Sequence, residues 1–248
     1  VEVASASSQT QGSVPVTFGQ PFKAGDWQPT SQGLVAKVDG TTIPLQTDEL
    51  STHRDGSARF AVLSAQLTNL PAGQKLIINL YRGAKSSSTP NVPAKPDWNL
   101  ELEAQVYDAN GSVTTLVAQP QAQLVSQIAS GSERRLAGAI ASEYTVTLPF
   151  KNKATGATHP HLTARLHTRL VDGGQRIRTD VVMENTRTWT PDPSNITYSL
   201  DVKRNGSTIY TQPKFTHYHH ARWHKVLWTG SSAEPQARVR HNMRYFLD

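Results

Sequence analysis

The sequence predicts an all-β protein whose antiparallel strands close into a sandwich or a barrel. Three observations lead there. Helical periodicity is almost absent from the chain. Asp39-Gly40, Asn110-Gly111, Asp172-Gly173-Gly174 and Asn205-Gly206 are hairpin-turn dipeptides set between apolar or alternating runs. Turn signals of this kind recur along the whole length, as they do in sandwiches and barrels. The 248 residues suffice for one large β domain or two small ones, with a core that needs no covalent staple.

Taken in order, residues 1–11 are rich in Ser, Ala and Gln and read as an extended arm. Residues 12–83 read as a first β unit. Residues 84–96 are polar, rich in Ser and Pro and without period, the composition of a linker or long loop. Residues 97–248 read as a second antiparallel unit that ends in an interface segment. Its hairpins are legible. Residues 101–107 and 112–118 flank Asp108-Ala109-Asn110-Gly111, residues 162–170 and 176–183 flank a turn at 171–175, and residues 199–203 and 207–210 flank Asn205-Gly206. In the strand at 176–183, Ile177, Thr179, Val181 and Met183 share one face while Arg176, Arg178, Asp180 and Val182 share the other. That period of two implies one buried and one mostly polar face. Residues 136–142 suit a short helix or a strand equally well.

Composition excludes several chemistries. With no cysteine there is no disulfide, thiolate nucleophile or Cys-based zinc site. No run of about 18 apolar residues exists, so no transmembrane helix and no membrane insertion are expected. The start of the chain lacks the basic and apolar regions of a signal peptide and has no initiator Met, as expected of a chain that is processed or continues upstream. The net charge of +6 is dispersed, without a run of five or six Lys or Arg, and reads as a solvated basic surface rather than a nucleic-acid site. There is no Gly-x-Ser-x-Gly, phosphate loop or dinucleotide fingerprint, and no carboxylate pair stands out.

The densest chemistry lies in residues 215–228, Phe-Thr-His-Tyr-His-His-Ala-Arg-Trp-His-Lys-Val-Leu-Trp. Four of the nine histidines and two of the five tryptophans fall there. The stretch is either a buried polar-aromatic strand or a contact surface. Read as one strand, it places His217 and His219 on one face and His220 and His224 on the other. Histidines at i, i+2 can share a metal, and His159-Pro160-His161 repeats that spacing, with His167 within reach. No Asp or Glu accompanies residues 217–224, however, so neither a metal nor a cofactor is expected. Tyr218, His219, Arg222 and Lys225 are suitable types for acid–base work on an acidic sugar, yet nothing in the sequence makes them converge, and no catalytic residue is assigned. The expected glycan or partner contacts are Tyr218, His219, His220, Arg222, Trp223, His224 and Trp228. Trp27, Trp98 and Trp189 are further rings of a type that sugars stack on.

The first unit also carries recognisable runs: residues 14–25, Val-Pro-Val-Thr-Phe-Gly-Gln-Pro-Phe-Lys-Ala-Gly; Val38-Asp39-Gly40 followed by residues 43–46; residues 55–63, Asp-Gly-Ser-Ala-Arg-Phe-Ala-Val-Leu; and residues 70–73 and 76–81. In order and spacing this resembles the N-terminal β domain of the rhamnogalacturonan exolyase-type family, a RIFT-type barrel. Residues 165–189 are similar to the sandwich strands that follow it. Residues 217–228 resemble the end of this β region in phage and prophage proteins with the same head. The resemblance implies an all-β fold, a RIFT-type barrel-like unit followed by an antiparallel β-sandwich unit. In such lyases activity belongs to a helical toroid behind the β domain, and no helical repeats follow here. The expected function is therefore non-enzymatic: a structural or adhesion domain of an extracellular assembly, a bacteriophage tail or tail tip. Its expected partners are other chains of that assembly, as a homo-oligomer, and a polysaccharide. The alternative is the carbohydrate-binding portion of a polysaccharide lyase.

Overall fold

In the computed structural model, residues 1–85, 99–131, 134–230 and 233–240 are described. The first eight strands are β1 (Glu2–Ser5), β2 (Val14–Pro21), β3 (Gly33–Val38), β4 (Thr41–Ile43), β5 (Leu45–Thr52), β6 (Ala58–Leu67), β7 (Lys75–Ile77) and β8 (Asn79–Gly83). They build three small antiparallel sheets, ordered β2-β6-β5, β4-β3-β8 and β18-β1-β7, where β18 is Ala237–Arg240 near the far end of the chain. Alternation decides which side chains enter the core. Val14, Val16 and Phe18 of β2 point inward to meet Leu63, Leu67 and Trp27. The tight β3–β4 hairpin turns on Asp39 and Gly40, both at positive φ (48° and 79°), as a two-residue turn of this hand requires.

Two expected boundaries change. Residues 1–11 hold β1, which is the middle strand of its sheet, with Val3 fully buried. Residues 97–248 are not a single second unit, because β18 returns to the first: Glu2 pairs with Arg240 and Ser5 with Ala237, and Ala237 and Val239 pack on the first core. Composition hides both facts, since the partners of β1 lie some 70 and 235 positions away and a four-residue strand has almost no period of its own. The second unit is thus inserted between β8 and β18. Most of the expected linker, residues 86–96, lies outside the described residues.

The inserted unit comprises β9 (Leu100–Tyr107), β10 (Val113–Ala118), helix α1 (Gln121–Ser130), β11 (Arg134–Ala137), β12 (Ala141–Asn152), β13 (Thr158–Val171), β14 (Arg176–Asn185), β15 (Ile196–Arg204), β16 (Ser207–His217) and β17 (Ala221–Gly230). All three expected hairpins are present, in the registers Val113↔Tyr107, Val171↔Arg176 and Arg204↔Ser207. The strands form one antiparallel sheet, ordered β16-β15-β9-β10-β12-β13-β14-β17, with β11 on β12. The sandwich is this one sheet folded over itself. Its inner face encloses a single core that includes Leu102, Tyr144, Phe150, Leu166, Val181 and Tyr198. The two edges, β16 and β17, meet through rings rather than a backbone ladder: Trp223 lies 6.1 Å from the Tyr210 ring and 6.2 Å from the Phe215 ring.

Residues 136–142 form the end of β11, a turn and the start of β12. The helix lies instead at α1, where Leu124 and Gln127 are buried, Ile128 packs on the core, and Gly131 ends the helix in the left-handed conformation (φ 66°). The apolar pair at i, i+4 followed by Gly is the signal that could have located it. At the other end of the sheet, Gly230 closes β17 at φ 114°, and a Cβ there would strike the carbonyl oxygen of Gln175. Gly230→Ala is expected to cost about 1–3 kcal/mol in thermal unfolding; an unchanged melting temperature would show that the strand end relaxes freely.

A polar plug and a small apolar cluster join the units. From β5, Gln46 Nε2 donates to Ala141 O (2.7 Å) and to Asp48 Oδ2 (2.6 Å), while its Oε1 accepts from the backbone N–H of Ile140 and of Ala141 (both 3.0 Å). Asp48 Oδ1 accepts from Ala137 N–H (2.9 Å). The Gln46 carboxamide fills the space that a Cβ on Gly138 would need. Beside it, Leu136, Ala141 and Val171 pack with Val62 and Trp228.

Candidate functional site

The stretch expected as one strand is broken. β16 ends at His217, Tyr218–His220 make a corner with His220 in the left-handed region (φ 67°), and β17 starts at Ala221. The corner carries the chain from one edge of the sheet to the other, so alternation cannot run through it. His217 is buried at its root. A carbonyl can only accept, so His217 Nε2–H donates to Ala221 O (2.9 Å), which leaves Nδ1 to accept from the Tyr198 hydroxyl (2.8 Å). Burial holds His217 below the usual histidine range and pushes the Tyr198 hydroxyl well above the usual phenol range. Asn185, at the end of β14, donates through Nδ2 to Ser194 O (2.9 Å) and His217 O (3.2 Å), and its backbone carbonyl accepts from His220 N–H (2.8 Å). Asn195 Oδ1 accepts from His219 N–H (3.0 Å). The corner and the 186–195 loop are therefore tied into one rigid end of the sheet.

Three expected contact residues stand together on this corner. Tyr218 projects outward, 65% exposed. The His219 and His220 rings meet edge-on, with centroids 3.7 Å apart. Partial burial, then His220 and His161, hold His219 below the usual histidine range, and its Nε2 is buried without a hydrogen-bond partner. Arg222 and His224 lie on the outer face of β17 instead. Arg222 Nε pairs with Glu184 Oε1 (2.9 Å), which also takes Arg165 (3.3 Å), and His224 Nδ1 lies 3.3 Å from Asp180 Oδ1. Trp223 and Trp228 are half-buried, one in the seam and one in the junction, so packing accounts for both. Trp27 is a core residue of the first unit, Trp98 lies outside the described residues, and Trp189 on the 186–195 loop is 98% exposed. Trp189 is the ring that the expected contact set omitted. Only its place in a Thr- and Pro-rich loop, residues 186–193, hinted at exposure.

Beside the corner opens a cleft of about 370 Å³, lined among others by Tyr107, His159, Pro160, His161, Asp192 and Asn195. His159 Nδ1 accepts from the backbone N–H of His161 (3.2 Å) and Leu162 (3.0 Å), so the proton of its neutral ring sits on Nε2. Burial and His161 hold His159 below the usual range. Lys214 Nζ sits 4.2 Å over the Tyr107 ring at the rim. No group of three metal-ligating side chains forms among the described residues.

The comparisons bear on the other unit. Residues 4–78 match the family model of the PcRGLX-like N-terminal RIFT barrel domain. This segment is a RIFT barrel, similar to that of a rhamnogalacturonan lyase-like family. No curated protein matches the chain. The match covers β2 to β7 and the second half of β1, and contains none of the corner residues. The RIFT barrel has a cleft of its own, of about 920 Å³, where Phe22, Tyr81 and Ile77 alternate with Lys75, Arg82 and Arg240. Glu2 there takes Lys75 (3.3 Å) and Arg240 (3.9 Å), whereas Arg82 has no ion-pair partner among the described residues.

Proposed function

We propose that the chain is a non-enzymatic structural and adhesion module of an extracellular assembly, a bacteriophage tail or tail tip. In this reading it meets neighbouring copies and a polysaccharide through the corner end of the inserted unit. The observation that carries it is the outward display of Trp189 on the 186–195 loop and of Tyr218 on the corner, two segments tied together by Asn185 and Asn195. Large rings with a polar edge suit the apolar faces of sugars, and so full an exposure is unfavourable unless something covers them. The virion setting is supported by the resemblance of residues 217–228 to phage proteins. A glycan panel combined with light scattering tests the reading. The wild type should bind a polysaccharide as a multimer, and Trp189→Ala with Tyr218→Ala should weaken binding at least tenfold at unchanged melting temperature. A monomer that binds no glycan would overturn it.

A second reading, the carbohydrate-binding portion of a polysaccharide lyase, is favoured by the RIFT barrel match and its cleft. On that reading Tyr81→Ala and Arg82→Ala weaken glycan binding, and the corner substitutions leave it unchanged.

A further inference from the structure

We infer that the imidazole cleft beside the corner is a binding site for an oxyanion group, a carboxylate or a sulfate, which enters when its histidines are protonated. The inference rests on the first reading for the polymer that carries the group, but not for the ion itself. Two imidazoles of β13, His159 and His161, line this cleft, and a third, His219 on the corner, lies within electrostatic reach of His161. The first two have ring centroids 6.4 Å apart, and His161 acts electrostatically on His219.

What singles the cluster out is its lack of internal partners. His161 is only 6% exposed, yet neither of its ring nitrogens has a hydrogen-bond partner among the described residues, and the ring lines the cleft. His219 Nε2 is likewise buried and unpartnered. Buried polar groups are normally satisfied, so the orphaned Nε2 of His219 and the His161 nitrogens, which no protein group takes, leave room for a ligand to complete them. His159 adds a third donor, because backbone N–H groups already occupy its Nδ1 and direct its N–H to Nε2.

Charge selects the ligand. Neutral imidazoles would suit a metal, but the rings are not arranged as a set of three metal ligands. Protonated, they offer several N–H donors and positive charge to an acceptor with more than one oxygen. The groups that face them are His220 on the corner, Asp192 exposed on the 186–195 loop, Tyr107 on β9 and Lys214 above its ring. One carboxylate and one ammonium at the rim offset each other, so the imidazoles decide the sign of the cleft. Burial and neighbouring imidazoles disfavour the charged forms of His159 and His219, and an incoming anion offsets both. Affinity must therefore rise as pH falls below about 6.5, the unperturbed imidazole value.

The test titrates the intact chain with inorganic sulfate and with acetate, following histidine side-chain NMR signals at pH 5.5 and pH 8, with the fold checked by circular dichroism at each pH. Sulfate should bind at least tenfold more tightly at pH 5.5 and shift the His159, His161 and His219 signals. His219→Gln, and separately His161→Gln, should remove most of that binding. Equal affinity at both pH values, no binding at pH 5.5, or sulfate shifts confined to other residues would overturn the inference. A sulfated polysaccharide and neutral dextran then separate a free-ion site from a polymer site. Polymer binding that is unchanged in Trp189→Ala with Tyr218→Ala, with sulfate binding intact, would count against the adhesion reading alone.

Discussion

Gln46→Leu is expected to lower the free energy of unfolding by about 3–5 kcal/mol. The leucine matches the glutamine in size but not in shape or polarity, so the backbone N–H groups of Ile140 and Ala141 lose their partner together, while the carbonyl of Ala141 keeps Gly138 N–H. Ala141 is fully buried, and each orphaned buried group costs about 1–3 kcal/mol. Asp48 keeps its bond to Ala137 N–H but loses the amide that donates to its Oδ2. The damage falls on the joint between the units, leaving their separate cores intact. Urea unfolding followed by tryptophan fluorescence should therefore show a lower midpoint and a broader or stepped transition, with Trp27 reporting on the RIFT barrel and Trp223 on the inserted unit. A single sharp transition within about 1 kcal/mol of wild type would mean that the joint is held by its apolar cluster and not by the plug.

His217→Ala should have an effect of similar size, about 3–4 kcal/mol, at neutral pH. It strands the buried Tyr198 hydroxyl, removes the donor to Ala221 O and leaves a cavity under the corner. Tyr198→Phe removes one of these bonds and should cost about 1–2 kcal/mol. The pH dependence identifies the cause. His217 is held neutral in the folded chain below the usual histidine range, so its contribution is fully present above about pH 6.5. It is lost as pH falls from there through the depressed folded value, because the unfolded chain takes up the proton first. His159 and His219 are shifted the same way and add to the slope. Stability measured by urea titration between pH 7.5 and 4.5 should fall less steeply in His217→Ala than in wild type. Parallel profiles would place the acid sensitivity elsewhere.

The all-β class, the three hairpins of the inserted unit and the RIFT barrel were legible because each rests on local signals: alternation, turn dipeptides, and motifs of the barrel head. The strands β1 and β18 were not legible. Their stability comes from pairing with each other and with β7 and from burying Val3, and none of this leaves a mark within four residues. The candidate site was half legible. Composition pointed to residues 217–228, but the reading of a single strand failed at His220, whose left-handed backbone turns the chain and separates Tyr218, His219 and His220 from Arg222 and His224. The partners that complete the corner, His159, His161, Asn185 and Asn195, come from other strands and loops. Only the fold brings them there.

The pairing of β1 with β18 also sets how the molecule would respond to force. Glu2 lies opposite Arg240, so both ends of the described chain leave from the same end of one antiparallel ladder. Tension applied to those ends would load its cross-strand hydrogen bonds one after another, like a zipper, rather than all together in shear. The four paired positions of that ladder would part first. The load would then pass along the chain through the RIFT barrel and through the inserted sheet, which lies between β8 and β18. Load carried past the molecule through its neighbours would spare this latch, whereas load carried through its own ends would release it.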